Sequence, residues 1–320
     1  MNLSVIIPNY NGSHLLKKNF HSVVNAFKEY KEGEVQLIIP DDASSDDSVE
    51  VINNLFSQIK IEHIHGKLVE NKDRNKGGFS KNVNRGVSVA TGEILILLNS
   101  DVSPHKDFLM PLLKHFEDPK VFAVACMDES IEGDKKVLRG RGVGKWERGF
   151  LHHSAGKISG VATNTLWVSG GSGAFRKDLW DNLSGLNELF NPFYWEDIDL
   201  SYRALKSGYS LIFEPQSVVI HDHSEGAIKK TYKEKKVTSI VYRNQFFFSW
   251  MNITDTNLIL SHIFWLPFHL LSGFIRRDWA FLSGFLHASL MLPNVLMLRR
   301  VYARKFILSD LDIVKTFDQE

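Results

Sequence analysis

Val35-Gln-Leu-Ile-Ile-Pro40 runs directly into Asp41-Asp42-Ala-Ser-Ser-Asp46, and Glu93-Ile-Leu-Ile-Leu-Leu98 runs into Asn99-Ser-Asp101. Each is a short apolar strand that stops at a polar, acidic turn. Ligands of an open α/β sheet bind beyond the carboxyl ends of the strands. Two acidic strand ends, joined by the glycine-bearing stretch Asn75-Lys-Gly-Gly-Phe-Ser80, therefore describe one site. Its chemistry suits a hydrated polar ligand and a hard cation. A third carboxylate cluster, Trp195-Glu-Asp-Ile-Asp199, opens a helix and adds a candidate base.

Outward from these turns the chain alternates in type up to about residue 125. Leu3 to Ile7 is continuously apolar, as expected where both faces of a parallel sheet are covered. Asn11-Gly12-Ser13 opens a helix to about Tyr30, with Leu15, Leu16, Val23, Val24 and Phe27 along one side. Strand Val35–Ile39 leads to a helix from Ser45 to about Ile59, with Ser44 or Ser45 as N-cap. A short strand near Ile61–Ile64, a helix from Gly78 to Ala90 and the strand Glu93–Leu98 follow. This alternation predicts an α/β fold with right-handed crossovers and a mostly parallel sheet flanked by helices.

Val121 to Cys126 reads as a buried strand. Residues 127–164, with Arg139-Gly-Arg-Gly-Val-Gly144, read as an irregular active-site loop or insertion. Leu166–Ser169 is strand-like, Arg176–Leu183 helical, and Glu196–Ser207 a helix closed by Gly208. Ser210–Phe213 and Ser217–Ile220 are short strands ending at His221-Asp-His223. No internal repeat is visible.

The totals exclude several classes. A net charge of +1 over 320 residues argues against a general nucleic-acid binder. The single cysteine, Cys126, excludes an intramolecular disulfide and a cysteine-cluster zinc site. The apolar run Leu3–Ile7 is too short for a signal peptide and enters a strand directly, so a cytoplasmic location is expected.

The last ninety or so residues change character. Between Gly226 and Ile307 twelve Lys and Arg face only Glu234, Asp255 and Asp278. Two apolar stretches, Leu258–Ile275 and Trp279–Leu298, each end in an Arg-Arg pair. Both approach the roughly 20 apolar residues of a membrane span, but His262, His269, Pro267, His287 and Pro293 interrupt them. Basic flanks and broken hydrophobicity fit helices lying peripherally on an anionic membrane surface better than spans. A packed or homodimer-forming helical extension is the alternative. The expected division is a catalytic domain over 1–225 and a basic, apolar helical extension over 226–320.

With these elements placed, the chain resembles the family 2 glycosyltransferases of the GT-A fold, particularly the bacterial rhamnosyltransferase-like branch. The resemblance covers roughly residues 3 to 224. It rests on Val5-Ile-Ile-Pro-Asn-Tyr-Asn-Gly12, Asp41-Asp-Ala-Ser-Ser-Asp-Asp-Ser48, Asn75-Lys-Gly-Gly-Phe, Asn99-Ser-Asp101 and Tyr194-Trp-Glu-Asp-Ile-Asp-Leu200. The resemblance implies an inverting transfer of a sugar from a nucleoside-diphosphate sugar to a hydroxyl of a glycan or lipid-linked saccharide. Pro8, Tyr10, Asp42, Asn75, Gly77 and Ser100 would then bind the donor, Tyr10 near base or ribose and Asp42 at a pyrimidine N3–H.

Asn99-Ser-Asp101 departs from the family's D-x-D motif at its first acid, leaving Asp101 for the metal. His221 matches a position that can complete the metal shell. Mg²⁺ needs only one or two carboxylates besides phosphate oxygens, while an imidazole ligand tilts the preference toward Mn²⁺. Asp197 matches the general base that takes the acceptor proton, with Glu196 beside it on acceptor or metal-bound water. Asp199 points elsewhere on the helix. The principal rival is a non-catalytic nucleotide-sugar-binding module, for which the Asn99 departure speaks. The missing G-x-G-x-x-G after strand one argues against a dinucleotide-dependent oxidoreductase.

Overall fold

The computed structural model describes residues 1–73, 77–222 and 232–318. Asn75 and His223, and with them the boundary at 225, lie outside the described residues. The strands are β1 Leu3–Ile6, β2 Val35–Asp41, β3 Ile64–Glu70, β4 Ile94–Leu98, β5 Val102–Pro104 and β6 Val121–Glu132. Then come β7 Lys135–Arg139, β8 Gly142–Glu147, β9 Phe150–Ala155, β10 Thr163–Asn164, β11 Ser172–Arg176 and β12 Ser210–Asp222. Up to β12 the helices are α1 Ser13–Phe27, α2 Ser48–Ser57, α3 Phe79–Val87, α4 Leu109–Leu113, α5 Lys177–Asn182 and α6 Glu196–Lys206. Beyond it lie α7 Glu234–Asn252, α8 Thr256–Ile275, α9 Trp279–Leu290, α10 Leu292–Tyr302 and α11 Asp310–Phe317.

The main sheet runs β10-β12-β6-β11-β4-β1-β2-β3, with β5 on β12 and β7 on β6. β1 pairs in parallel with both β2 and β4, so strand order reverses beside β1. That is the switch point at which such sheets bind ligands. β11 is antiparallel to β4 and β6, and β12 is parallel to β6. The carboxyl ends of β1, β2, β4, β6 and β12 therefore share one edge of the sheet.

Alternate strand residues feed two cores, one on each face. Val5, Leu37, Ile96 and Leu98 pack under α1, α2 and α4. Ile6, Ile38, Leu95 and Leu97 pack on the opposite face with Val83, Ile198 and Tyr202. Phe246, Phe247, Phe248 and Met251 of α7 belong to this second core, beside Phe150 and Trp195. Cys126 is buried in β6, and burial pushes its thiol up to about 12, as befits a packing residue.

Several expectations are corrected. Residues 127–164 form the second half of β6 and all of β7 to β10 rather than an irregular loop. The glycines that read as flexible are close-packing points: a Cβ at Gly144 would lie 2.5 Å from Leu166, and one at Gly142 would collide with the Trp167 ring. Leu166–Ser169 forms no strand, because its buried side chains enter the core while Val168 N–H donates to Ser201 Oγ at 3.1 Å. β3 starts where the expected strand at Ile61–Ile64 ends, and its largely exposed pattern is that of an edge. The two strands expected in 210–220 are one, made irregular between Glu214 and Val218 where Pro215 interrupts the ladder. Neither Ser44 nor Ser45 caps α2, which begins at Ser48 behind Asp47. α7 starts at the basic run Lys233–Lys236, which reads as charge rather than structure, and Trp279–Leu298 is broken into α9 and α10 with a 68° bend.

Candidate active site

Strand ends build one side of the candidate site. Asn9 closes β1 by bridging to Asp41, and its Nδ2 donates to Asp41 Oδ2 at 2.7 Å. Asp41 also accepts from Ser44 N–H at 2.9 Å and Ser44 Oγ–H at 2.6 Å. The first acid of the pair is thus buried and holds its own turn. The second, Asp42, accepts from Gly78 N–H at 2.7 Å and Asn71 Nδ2 at 2.9 Å, with Arg85 at 3.6 Å. Each Asp42 oxygen retains a second lone pair for a ligand. A side chain at Gly77 would strike the Asp42 carboxylate, so a larger residue there would displace it. Pro8 precedes the Asn9 bridge, and Tyr10 beside it is exposed.

Asn99-Ser-Asp101 turns off β4. Asn99 N–H donates to Gly171 O at 2.9 Å, and Ser100 O accepts from Asn19 Nδ2 at 2.8 Å. His221 Nε2 stands 3.2 Å from Asp101 Oδ1, while its Nδ1 is 2.9 Å from Asp128 Oδ2. Ser130 Oγ–H in turn donates to Asp128 Oδ1 at 2.7 Å. Burial alone would lower the His221 pKa, but Asp101 and Asp128 outweigh it and raise the group to about 9. Without a metal the ring is therefore a cation between two carboxylates.

The donor set fits a divalent ion. A carboxylate holding one imidazole nitrogen while the other faces outward is the usual support of a metal-ligating histidine. Among the described residues no cluster of three or more His, Cys, Asp or Glu is arranged to hold a metal. Asp101 and His221 would supply two ligands, leaving the rest to phosphate oxygens and water.

The third cluster lies at the start of α6. Tyr194 and Trp195 both take positive φ, 71° and 73°, which turns the chain sharply into α6. Asp197 Oδ1 accepts from Ile198 N–H at 2.8 Å, and the backbone of Gly170 also donates to it. Burial raises the Asp197 pKa against these hydrogen bonds. Glu196 is raised further, by burial first and then by the charges of Asp197 and Asp199. Its Oε2 is buried without a hydrogen-bond partner. Asp199 instead is fully buried, 2.8 Å from Arg203 Nη2 and accepting from Asn252 Nδ2 at 2.7 Å. Its role is structural, as its position on the helix implies.

Gly170 and Gly171 join the two sides. A Cβ at Gly170 would lie 3.9 Å from Asp197 Cβ and 3.3 Å from Phe79, and one at Gly171 would lie 2.5 Å from Asn99. Asn191 Oδ1 accepts from Ser80 N–H at 3.1 Å, and Phe79 N–H donates to Pro192 O at 3.0 Å. The start of α3 is thereby fastened to the loop leading into Glu196 and Asp197. The structure thus gathers every described candidate residue along one edge of the sheet.

Sequence reasoning misses three contributors. Asp128 directly follows the apolar run 121–127, an acidic strand end of the same kind as that after Leu98, but the reading of 127–164 as an irregular loop hides it. Tyr232 stacks edge-on against Phe193 at 5.0 Å, and its hydroxyl is raised by burial, then by Tyr10 and Asp42. Asn244 of α7 is fully buried, and its Nδ2 donates to the carbonyls of Phe190, Phe193 and Tyr194 at 3.0, 2.9 and 2.8 Å.

The sequence matches the family model described as Glycosyl transferase family 2 over residues 4–181, and that of Glycosyl transferase family group 2 over residues 94–300. It is 25% identical over 226 residues to the O-antigen chain rhamnosyltransferase RfbN of Salmonella typhimurium, covering 70% of this chain and 67% of that one. It is 31% identical over 147 residues to the pre-mycofactocin glycosyltransferase of Mycobacterium tuberculosis, covering 44% of this chain but only 29% of the relative. The mannosyltransferase PcManGT of Pyrobaculum calidifontis, solved with GDP-Man and Mn²⁺, shares the fold with a TM-score of 0.56 at 16% identity, over 99% of this chain and 88% of its own.

Proposed function

The chain belongs to the family 2 glycosyltransferases, with the GT-A fold, and from that premise we propose an inverting, metal-assisted transfer of a sugar from a nucleoside diphosphate to a hydroxyl of a glycan or lipid-linked saccharide. The observation that carries this reading is the Gly170-Gly171 link, which sets the Asp197 carboxylate and the Asn99-Ser-Asp101 turn on either side of one short segment. An attacking hydroxyl and a departing diphosphate need such an arrangement, with a base on one side and charge stabilisation on the other.

Asp197 takes the acceptor proton. Its raised pKa makes it a better base than an ordinary surface aspartate, in line with the tuning that general bases need. Glu196, beside it with a free Oε2, hydrogen-bonds the acceptor. Asp42 and Tyr10 hold the nucleoside, while Gly77 and Ser100 line the diphosphate path. A divalent ion held by Asp101 and His221 would neutralise charge on the leaving diphosphate. The Mn²⁺ bound in the mannosyltransferase complex supports that ion as the first to test. RfbN, a rhamnosyltransferase by name, makes a deoxyhexose the first donor to screen. The glycosyltransferase relatives and the intact Glu196-Asp197 pair speak against a non-catalytic module.

Two substitutions separate the roles. Asp197→Asn should lower turnover by about 10²–10⁴-fold, the usual share of a general base, with nucleotide affinity by calorimetry held within a few-fold. Asp101→Ala should remove the Mn²⁺-dependent part of that affinity. Near-normal turnover in Asp197→Asn would move the base to Glu196, and an unchanged metal effect in Asp101→Ala would place the ion elsewhere.

A further inference from the structure

We infer that the outer face of α8, α9 and α10 seats in the hydrocarbon boundary of an anionic membrane, with these helices lying along the surface rather than crossing it. Most of the exposed large apolar side chains among the described residues lie between Leu260 and Leu308. Along α8, Leu260, Phe264, Phe268, Leu271 and Ile275 recur at helical spacing, with Phe264 at 63% and Ile275 at 69% exposure. Trp279, Leu286 and Leu290 extend the patch onto α9, and Met297 and Val301 onto α10. Exposed apolar surface of this extent marks an interaction site.

The opposite side of α8 is occupied, by Leu258, Ile259, Leu266 and Leu270 against the core and by two histidines among them. His262 Nδ1 lies 2.7 Å from Gly149 O, and His269 Nε2 lies 2.8 Å from Arg148 O. These bonds fasten the middle of the helix to the β8–β9 turn, where Arg148 also lies 6.0 Å from the Trp265 ring. α8 is long and apolar enough to cross a membrane. Crossing would carry Arg148 and the charged β8–β9 hairpin to the bilayer centre, where a cation is strongly disfavoured. Lying in the interface keeps that hairpin in water and buries only the apolar stripe.

Charge selects the partner. Arg276 and Arg277 at the end of α8, and Arg300 and Arg304 around the end of α10, are exposed at the rim of this face. Basic residues bordering an apolar helical face match anionic headgroups above acyl chains. Behind the face, a cavity of about 510 Å³ opens between Trp146, Trp250, Leu266, Phe285 and Leu296, and it offers room for one lipid chain.

Flotation of the full chain with vesicles tests the assignment independently of turnover. Binding to phosphatidylglycerol-containing vesicles should exceed binding to phosphatidylcholine alone by tenfold or more, and high salt should release it. The pair Phe264→Asp and Phe268→Asp, both on exposed positions remote from the catalytic acids, should abolish binding with an unchanged melting temperature. Arg276→Glu with Arg277→Glu should remove the preference for anionic lipid. Absence of vesicle binding, or binding indifferent to the Phe variants, overturns the proposal. A stable dimer that the Phe variants dissociate, without vesicle binding, would instead assign this face to a second copy of the chain. Extraction from membranes only by detergent would overturn the surface-lying arrangement.

Discussion

Burial makes a carboxylate more basic and costs the fold stability. Glu196 and Asp197 are both raised by desolvation although they stand in the first turn of α6, where backbone amides favour a negative charge. The acids themselves were legible in the sequence, as were Asp101 and His221, because polar residues at the ends of apolar strands have few structural reasons to be there. Which acid of each pair does what was less legible. Asp41 and Asp42 look alike in the sequence, yet the first is consumed by Ser44 and Asn9 and the second faces Gly78. Such assignments depend on where neighbouring backbone amides point. Glu196 also yields a stability test. Its folded pKa lies above the unfolded value, so the protonated form is the stabilising one, and that stability is lost as pH rises through the folded pKa. Glu196→Gln mimics the protonated form and should melt higher than the parent at pH 7–8, on the order of 1 kcal/mol or more. The difference should shrink toward zero as pH falls to about 4, the ordinary glutamate range. Melting curves across that range check it, and a gap independent of pH would show that the Glu196 charge carries no cost.

At the scale of elements, strand and helix alternation through Leu98 was readable because β1, β2 and β4 are largely apolar runs, whereas β3, polar and exposed at the sheet edge, was placed a few residues too early. The region from 127 to 164 was not, because its glycines serve packing between a strand and a ring, a use that looks identical to loop composition. α7 was hidden for a different reason. Its basic first turn reads as solvated charge, and its value lies in a long-range contact. Asn244, more than forty residues past Trp195, bonds three carbonyls of the loop that throws Tyr194 and Trp195 into positive φ. Arg243 adds a bond to Asn191 O at 2.7 Å. A loop strained in this way persists only when its surroundings hold it. Asn244→Ala should therefore cut kcat tenfold or more, through a misplaced Asp197, with nucleotide affinity within about threefold. Side-chain placement errors of about 1 Å are enough for a loss of that size or greater. Steady-state kinetics beside calorimetry decide it. An unchanged kcat would mean that the α3 contacts at Asn191 and Pro192 fix the loop alone.

For the molecule as a whole, the functional division and the folding division differ. The acids and donor-binding residues expected from the sequence all precede residue 226, yet the core on their side of the sheet is completed by the C-terminal helices. Phe246, Phe247 and Phe248 are essentially solvent-free and pack with Phe150, Trp195 and Tyr202. Lys206 in α6 pairs with Asp310 of α11 at 2.8 Å, both fully buried, and the Tyr202 hydroxyl donates to the same carboxylate at 2.8 Å. Losing a buried Phe side chain costs about 3–5 kcal/mol. Losing all three is comparable to the whole stability of a domain, about 5–15 kcal/mol, before the orphaned Lys206 charge is counted. A chain ending at Glu225 should therefore collect in the insoluble fraction or show no cooperative melt, even though it holds every candidate catalytic residue. By contrast, the Phe264→Asp and Phe268→Asp pair, on the bare face of α8, should leave the melt intact. Expression of both forms with calorimetric melting is the measurement. A soluble, cooperatively melting chain that ends at Glu225 would make the helices behind it an appendage rather than the second half of the core.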